Sequence, residues 1–267
     1  MAWTRRYDAP EPQRVNKWLA QSGVCSRREA EALIADGLVS IDGETVTDAG
    51  RKILPGQTLT LADRAAQALA GFTAVLNKPV GYVSGQPEPG HTPAVRLLTR
   101  SNLVGTGEAP ASNASLPPLG RLDEDSRGLL ILSDDGVLAK AIIGPESDLD
   151  KEYVVRVAGQ VDERKLARLR HGLELDGRKL KPAKVTVVEG ATLRFVLKEG
   201  RKRQIRRMCD LVGLRVVDLL RVRIGPLKLG DLPEGRWRLL TADEREAMIR
   251  ASIPSGPKTA PSPPRRT

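Results

Sequence analysis

The stretch Gly120-Arg121-Leu122-Asp123-Glu124-Asp125-Ser126-Arg127-Gly128-Leu129-Leu130-Ile131-Leu132-Ser133-Asp134-Asp135-Gly136 constrains this chain more than any other. Its apolar run, residues 129–132, is too short for a helix and is bracketed by Gly128 and by Asp134-Asp135-Gly136. It therefore predicts a strand buried on both faces. Asp123 then lies in the loop that feeds a core strand, two residues from the cation Arg121. A carboxylate so close to the interior needs a partner, because an isolated buried charge is very costly. Spacing alone leaves two readings open: an aspartate that caps a turn, or a reactive carboxylate.

With 40% hydrophobic but only 3% aromatic residues, aliphatic side chains must fill the core. A length of 267 residues suits one large or two modest domains. The net charge of +10 and pI near 9.9 favour a polyanionic partner, and where the charge lies says more than its sum. Cys25 and Cys209 are far apart, and His91 and His171 are the only histidines, so no zinc site with the usual ligand spacing is expected. Both cysteines occupy apolar positions of helical patterns and read as buried fillers. No leading segment resembles a signal peptide and no run approaches membrane-spanning length, so a soluble, cytoplasmic protein is expected.

Residues 1–13 read as a polar, mobile arm. From Arg14, the residues Val15, Trp18 and Leu19 recur at helical spacing. Ser26 and Glu29 form a capping box that opens a second helix, with Ala30, Leu33 and Ile34 on its buried face. Asp36-Gly37 stops that helix, and Asp42-Gly43 marks a hairpin turn between Val39/Ile41 and residues 44–46. A short strand follows at 58–61. Residues 1–60 carry 8 basic and 8 acidic side chains, yet Arg14, Lys17, Arg27 and Arg28 gather at the two helix starts. A helix start with adjacent cations suits a phosphate.

Residues 62–71 lack an apolar face and read as a linker. A larger domain is expected over 72–250, opening with a strand at 73–76 and the turn motif Asn77-Lys78-Pro79-Val80-Gly81. Residues 101–118 are low in complexity and read as a flexible surface insertion, with His91 nearby judged incidental. Asp134-Asp135-Gly136 should cap a helix through Ile143. A strand follows from Lys151-Glu152-Tyr153, then a helix from Asp162 to His171, then paired strands at 184–189 and 192–198. Residues 201–223 hold eight basic side chains against two acidic ones. Their helix buries Ile205, Met208, Cys209 and Val212, and Arg203 and Arg207 should form an outward i, i+4 row for phosphates. Residues 251–267, with five prolines and three cations, read as a disordered tail.

Two helices followed by a small hairpin sheet over 14–61 resemble the S4 RNA-binding domain. Gly120-Arg121-Leu122-Asp123 with Asp125-Ser126 and Gly128-Leu129 resembles the catalytic loop of the rRNA pseudouridine synthases. Four further stretches resemble that family in its own order: Asn77-Lys78-Pro79-Val80-Gly81, Lys151-Glu152-Tyr153, Gly200-Arg201-Lys202-Arg203-Gln204-Ile205-Arg206, and Gly235-Arg236-Trp237-Arg238-Leu239-Leu240-Thr241. The resemblance implies an α+β protein, an S4 domain plus a catalytic domain built on a mixed, largely antiparallel sheet. It implies isomerisation of a uridine in RNA, with no cofactor and no metal.

Under the resemblance Asp123 is the catalytic carboxylate, Arg206 its charge partner, and Tyr153 the active-site tyrosine. Whether the carboxylate adds at the base, attacks the sugar or removes a sugar proton stays open. Leu219 would pack beneath the target base, and Arg121 would fill the space a flipped nucleotide leaves. Lys78 is open between a phosphate contact and an ordinary turn residue. The Arg207-Met208-Cys209 continuation is similar to the branch acting on large-subunit (23S) rRNA, so that RNA or a ribosome assembly intermediate is the expected partner of a monomer. Small-subunit rRNA or tRNA is the alternative target. Two rivals are weighed, a hydrolase using Asp123 and Asp125 and a non-catalytic RNA-binding ribosome-assembly protein. Two aspartates so close on one loop rarely reach a glycosidase separation, and an intact Asp123, Tyr153 and Arg206 set argues against the second.

Overall fold

The computed structural model describes residues 3–65, 71–85 and 89–253. It divides into two compact units, the first formed by Met1–Lys140 with Leu229–Thr241, the second by Ala141–Lys228 with Ala242–Thr267. Among the described residues no helix is long and apolar enough to cross a membrane.

The first unit opens with the small domain. Strand β1 (Thr4–Arg6) pairs with the later strand at Thr58–Leu61, and β2 (Gln13–Arg14) leads into helix α1 (Val15–Gln21). Helix α2 (Arg27–Ala35) starts at the expected capping box: Ser26 Oγ accepts from Glu29 N–H, and the Glu29 carboxylate accepts from Ser26 N–H. Its buried residues are Ala30, Leu33 and Ile34, as the spacing predicts. Strands β3 (Val39–Ile41), β4 (Glu44–Thr45), β5 (Lys52–Ile53) and β6 (Thr58–Leu61) complete the domain. The sheet order is β1-β6-β3-β4, and β2 pairs with β5. Asp42 and Gly43 both take positive φ, 50° and 87°, the primed hairpin turn that an Asp-Gly pair favours.

The first residues are not a loose arm. Residues 4–6 are a sheet strand, Tyr7 is buried, and Trp3 and Tyr7 pack on Trp18 with ring centroids 5.8 and 5.5 Å away. The overall polarity of 1–13 hid two aromatic anchors, Trp3 and Tyr7, that pack against the small domain's core. Most of the expected linker, residues 66–70, lies outside the described residues, while Ala65 still belongs to the small domain's core.

The larger part of the first unit is built on β7 (Thr73–Lys78), with the short parallel pair β8 (Tyr82–Val83) and β9 (Thr92–Pro93) after it. Strand β10 (Arg127–Ser133) pairs antiparallel with β7, Leu130 opposite Leu76 and Ile131 opposite Val75. Leu129, Leu130, Ile131 and Leu132 are all fully buried, so the run is covered on both faces as expected. Burial stabilises each by about 2 kcal/mol at most. On the other side β7 pairs with β18 (Trp237–Leu239), the last strand of the described residues. Helix α3 (Gly136–Ile143) follows β10, with Asp135 Oδ1 accepting from Val137 N–H at 3.0 Å and Leu138 N–H at 2.9 Å.

Residues 101–118 are ordered as a strap, contrary to expectation. Val104 N–H donates to Trp237 O at 2.8 Å, Leu103 bridges Trp237, Pro118 bridges Leu132, and Ser133 N–H donates to Pro117 O at 3.1 Å. Leu116 and Leu119 are buried, and Gly107 lies so close to Leu239 that a Cβ there would sit 2.6 Å from its Cδ1. Composition judged the polar middle of the segment. Apolar anchors and strand edges fix its ends.

The second unit holds β11 (Lys151–Ala158), α4 (Glu163–Arg170), β12 (Glu174–Leu175), β13 (Arg178–Lys179), β14 (Lys184–Glu189), β15 (Thr192–Leu197), α5 (Gln204–Leu211), β16 (Arg215–Ile224), β17 (Leu227–Lys228) and α6 (Ala242–Ser252). Strands run in the order β14-β15-β11-β16, all antiparallel, with β17 beside β16. Asp162 caps α4 by accepting from Lys165 N–H. The hairpin β12–β13 was not foreseen, although its Asp176-Gly177 turn, φ 55° and 72°, is the same signal as Asp42-Gly43. Residues 251 and 252 end α6, and the rest of the expected tail, from 254, lies outside the described residues.

Candidate active site and nucleic-acid contacts

Asp123 is half-buried in a turn closed by Ser126 N–H donating to Asp123 O at 3.1 Å. Its two neighbours are held from the segment after β7. Ser84, 4% exposed, donates to Leu122 O at 2.7 Å and accepts from Leu122 N–H at 2.9 Å. Gly81 N–H donates to Glu124 O at 2.9 Å. Gly81 sits at φ 83°, a conformation glycine adopts without steric cost, which is why the motif ends in this residue. The Asp123 backbone is thus clamped on both sides before any ligand arrives, the preorganisation a reactive carboxylate needs.

Lys78 is fully buried, and its ammonium donates to Pro79 O and Tyr82 O at 2.8 Å each. Of the two readings left open for it, its partners support the turn residue and not the phosphate contact. His91 is not incidental: its Nδ1 lies 3.1 Å from both Glu124 carboxylate oxygens, tying the loop after β8 to the residue beside Asp123. Arg121 is exposed at the start of the same loop.

In the second unit Tyr153 lies buried on β11, opposite Phe195 on one side and Arg221 on the other. A bulge between Glu152 and Tyr153 offsets the strand at this point, a device that re-aims a side chain. Arg221 is 1% exposed. Sequence reasoning passed over it, because a buried arginine inside a basic run looks like one more surface cation. Burial and the charge of Arg221 both push the Lys151 ammonium below its usual pKa, against the pull of Asp150. Leu219 is buried opposite Val155. Arg206 is half-buried on α5, with Nη1 3.5 Å from Val216 O.

Of the expected outward pair, Arg203 is exposed and Arg207 is half-buried. Arg203 is the N-cap of α5 at φ 52°, in the left-handed region, and its carbonyl accepts from Arg207 N–H at 3.0 Å. Arg207 makes a two-pronged ion pair with Asp176 in the β12–β13 turn, 2.9 and 2.7 Å. That bond holds the Asp176 carboxyl below its usual range. Arg201 reaches the same hairpin, donating to Leu175 O, Arg178 O and Lys179 O. Arg223 binds Asp150 and Glu152. In the small domain Arg14, Lys17, Arg27 and Arg28 are exposed, and none makes an ion pair among the described residues.

An RNA pseudouridylate synthase family model matches residues 73–211, and an S4 domain model matches residues 13–59. An uncharacterized RNA pseudouridine synthase of Aquifex aeolicus is 35% identical over 243 residues, 89% of this chain and 94% of the relative. The dual-specificity RNA pseudouridine synthase RluF of Escherichia coli is 35% identical over 234 residues, 86% of this chain and 76% of that protein. A solved structure described as a pseudouridylate synthase aligns with a TM-score of 0.60 at 29% identity, covering 88% of this chain and 99% of the other.

Proposed function

The chain belongs to the RNA pseudouridylate synthase family and carries an S4 domain, and from that premise we propose that it isomerises a specific uridine of ribosomal RNA in the cytoplasm, acting as a monomer. Asp123 is the catalytic carboxylate in this reading. The observation that carries it is the clamp: Ser84 and Gly81 fix the residues on either side of Asp123. The N-glycosidic bond breaks, the base rotates and rejoins through C5, so no atom is gained or lost. In this reading Tyr153 stacks on the base and Arg206 pairs with the aspartate and orients it. Leu219 would lie under the base, and Arg121 would occupy the gap left by the flipped nucleotide.

Large-subunit rRNA is the favoured target, on the Arg207-Met208-Cys209 continuation of the helix motif. A second target is a reading with its own support, since the Escherichia coli relative is described as having dual specificity. Small-subunit rRNA and tRNA are the candidates. Mapping pseudouridine in rRNA and tRNA from cells with and without this gene decides between one site and two. Asp123→Asn keeps the loop's shape and removes the anion. The variant should form no pseudouridine while binding RNA within about twofold of the parent. Turnover by the purified variant would remove Asp123 from the reaction.

A further inference from the structure

One carboxylate of the small domain serves two helices. Glu29 closes the capping box of α2 through Oε2, which accepts from Ser26 N–H. Its other oxygen, Oε1, accepts from Gly136 N–H at 3.1 Å, across 107 positions of sequence. Gly136 is the first residue of α3, and Asp135 already takes the next two N–H groups of that helix. Glu29 therefore supplies an acceptor for the donor that Asp135 leaves, and its negative charge suits a helix start.

The fit around this bond is close. A Cβ built on Gly136 would meet Ser26 Cβ at 2.7 Å, Ser26 Oγ at 2.8 Å and Glu29 Oε2 at 3.2 Å. The helix can approach the capping box only because residue 136 has no side chain. Both partners lie in the first unit. Arg27 and Arg28, the exposed cations, follow Ser26 directly. From Gly136 the chain runs back through Asp134 and Asp135 into β10, whose other end carries the Asp123 loop. A strand of seven residues spans about 23 Å.

We propose that Ser26, Glu29 and Gly136 form a latch that seats the S4 domain on the catalytic sheet, so that RNA held at the start of α2 is kept in fixed register with the Asp123 loop. This rests on the pseudouridine synthase reading above. Glu29 and Gly136 are positioning residues, acting on which uridine reaches the loop and not on the chemistry there. RNA long enough to touch both α2 and the catalytic loop gains from the latch. RNA that reaches the loop alone does not.

The test uses the full chain and two variants. Gly136→Ala puts a methyl group into the contact without replacing either capping-box residue. Glu29→Gln keeps an amide oxygen for one helix start and removes the charge between them. Small-angle scattering should broaden for Gly136→Ala, with its thermal midpoint near that of the parent. On a domain-length rRNA transcript, single-turnover kinetics should show apparent KM raised about tenfold with the maximal rate unchanged, the loss expected when a tethered second contact is released. On a stem-loop of about twenty nucleotides around the mapped uridine, both parameters should match the parent. Glu29→Gln should move the same quantities less. Unchanged scattering and unchanged KM in Gly136→Ala would overturn the latch, as would an equal loss on the short stem-loop. If Gly136→Ala does not fold, a normal KM for Glu29→Gln on the long transcript overturns it as well. Absence of pseudouridine in every reaction of the parent would sink the functional reading, while the scattering arm would still judge the latch.

Discussion

Two regions of this molecule are rich in cations, and they use them in opposite ways. At the helix starts of the small domain, Arg14, Lys17, Arg27 and Arg28 stand in solvent with no ion pair among the described residues. Between 201 and 223 the density is greater, but most of that charge is spent inside the protein. Arg201 and Arg207 hold the β12–β13 hairpin, Arg223 holds Asp150 and Glu152, and Arg221 is buried. The exposed cations of that stretch are Lys202, Arg203 and Arg215. A count of charges therefore does not show which cations are already engaged within the protein. Whether a guanidinium already has a carboxylate or carbonyl decides how readily it can meet a phosphate, because a satisfied cation must first give up its partner.

The largest effect should follow from removing the unpaired charges. Arg27→Ala with Arg28→Ala should weaken rRNA binding and make the slope of log K against log salt shallower by about 0.7–0.9 per lost contact. Stability should hardly change, since neither side chain has a partner to lose. An unchanged slope would break the comparison, because it would mean that the exposed cations do not touch RNA.

Arg223→Leu should do the reverse. Asp150 and Glu152 would lose the cation that binds both at 2.6–3.1 Å, in a part-buried setting. Denaturant melts should show a loss of about 2 kcal/mol. The salt slope of RNA binding should stay as it was.

Arg207→Ala is subtler, because its ion pair with Asp176 is exposed and such pairs contribute little to global stability. Its effect should be local: faster hydrogen exchange or proteolysis in residues 172–180, with the midpoint of unfolding unmoved. The pH sign follows from the lowered Asp176 carboxyl. Its tie to Arg207 is complete above the ordinary value of 3.8 and is lost as pH falls through the depressed value. Protection of the hairpin that vanishes near neutral pH would show that the pair does not hold it.

These contrasts show where the sequence was legible. Local signals read true: the Ser26–Glu29 box, the Asp42-Gly43 turn, the buried run 129–132 and the cap at Asp135 all depend on neighbours a few residues apart. What failed depended on distant partners. Nothing near Arg207 announces Asp176, and nothing near residue 103 announces the edge of β18. Averages over a segment also misled, since Trp3 and Tyr7 outweigh the polar residues around them. The clamp on Asp123 is half visible in the sequence: the turn motif ends in Gly81, but a serine near a turn, such as Ser84, carries no signal of its own.

Each region also contains one buried thiol, and the pair offers the finest comparison. Cys25 lies between α1 and α2, and Cys209 lies within α5. Burial raises both to about 12, helped by Glu29 at Cys25 and by Asp210 at Cys209. Only Cys209 has a cation pulling the other way, Arg206. Below the ordinary value of 9.0 both thiols are neutral in either state, so their contribution to stability is fully present. Above it the unfolded thiols ionise first, and stability should fall as pH rises toward about 12. At pH 8 neither cysteine should react with an alkylating reagent until its surroundings open, so labelling reports local opening. Arg27→Ala with Arg28→Ala should leave both labelling rates unchanged, because those side chains secure nothing. Arg207→Ala should speed Cys209 slightly and Cys25 not at all, since it frees only the face of α5 that the hairpin covers. Equal acceleration of both thiols would mean that Arg207 supports the whole fold, and the division between spent and available cations would fail at that residue.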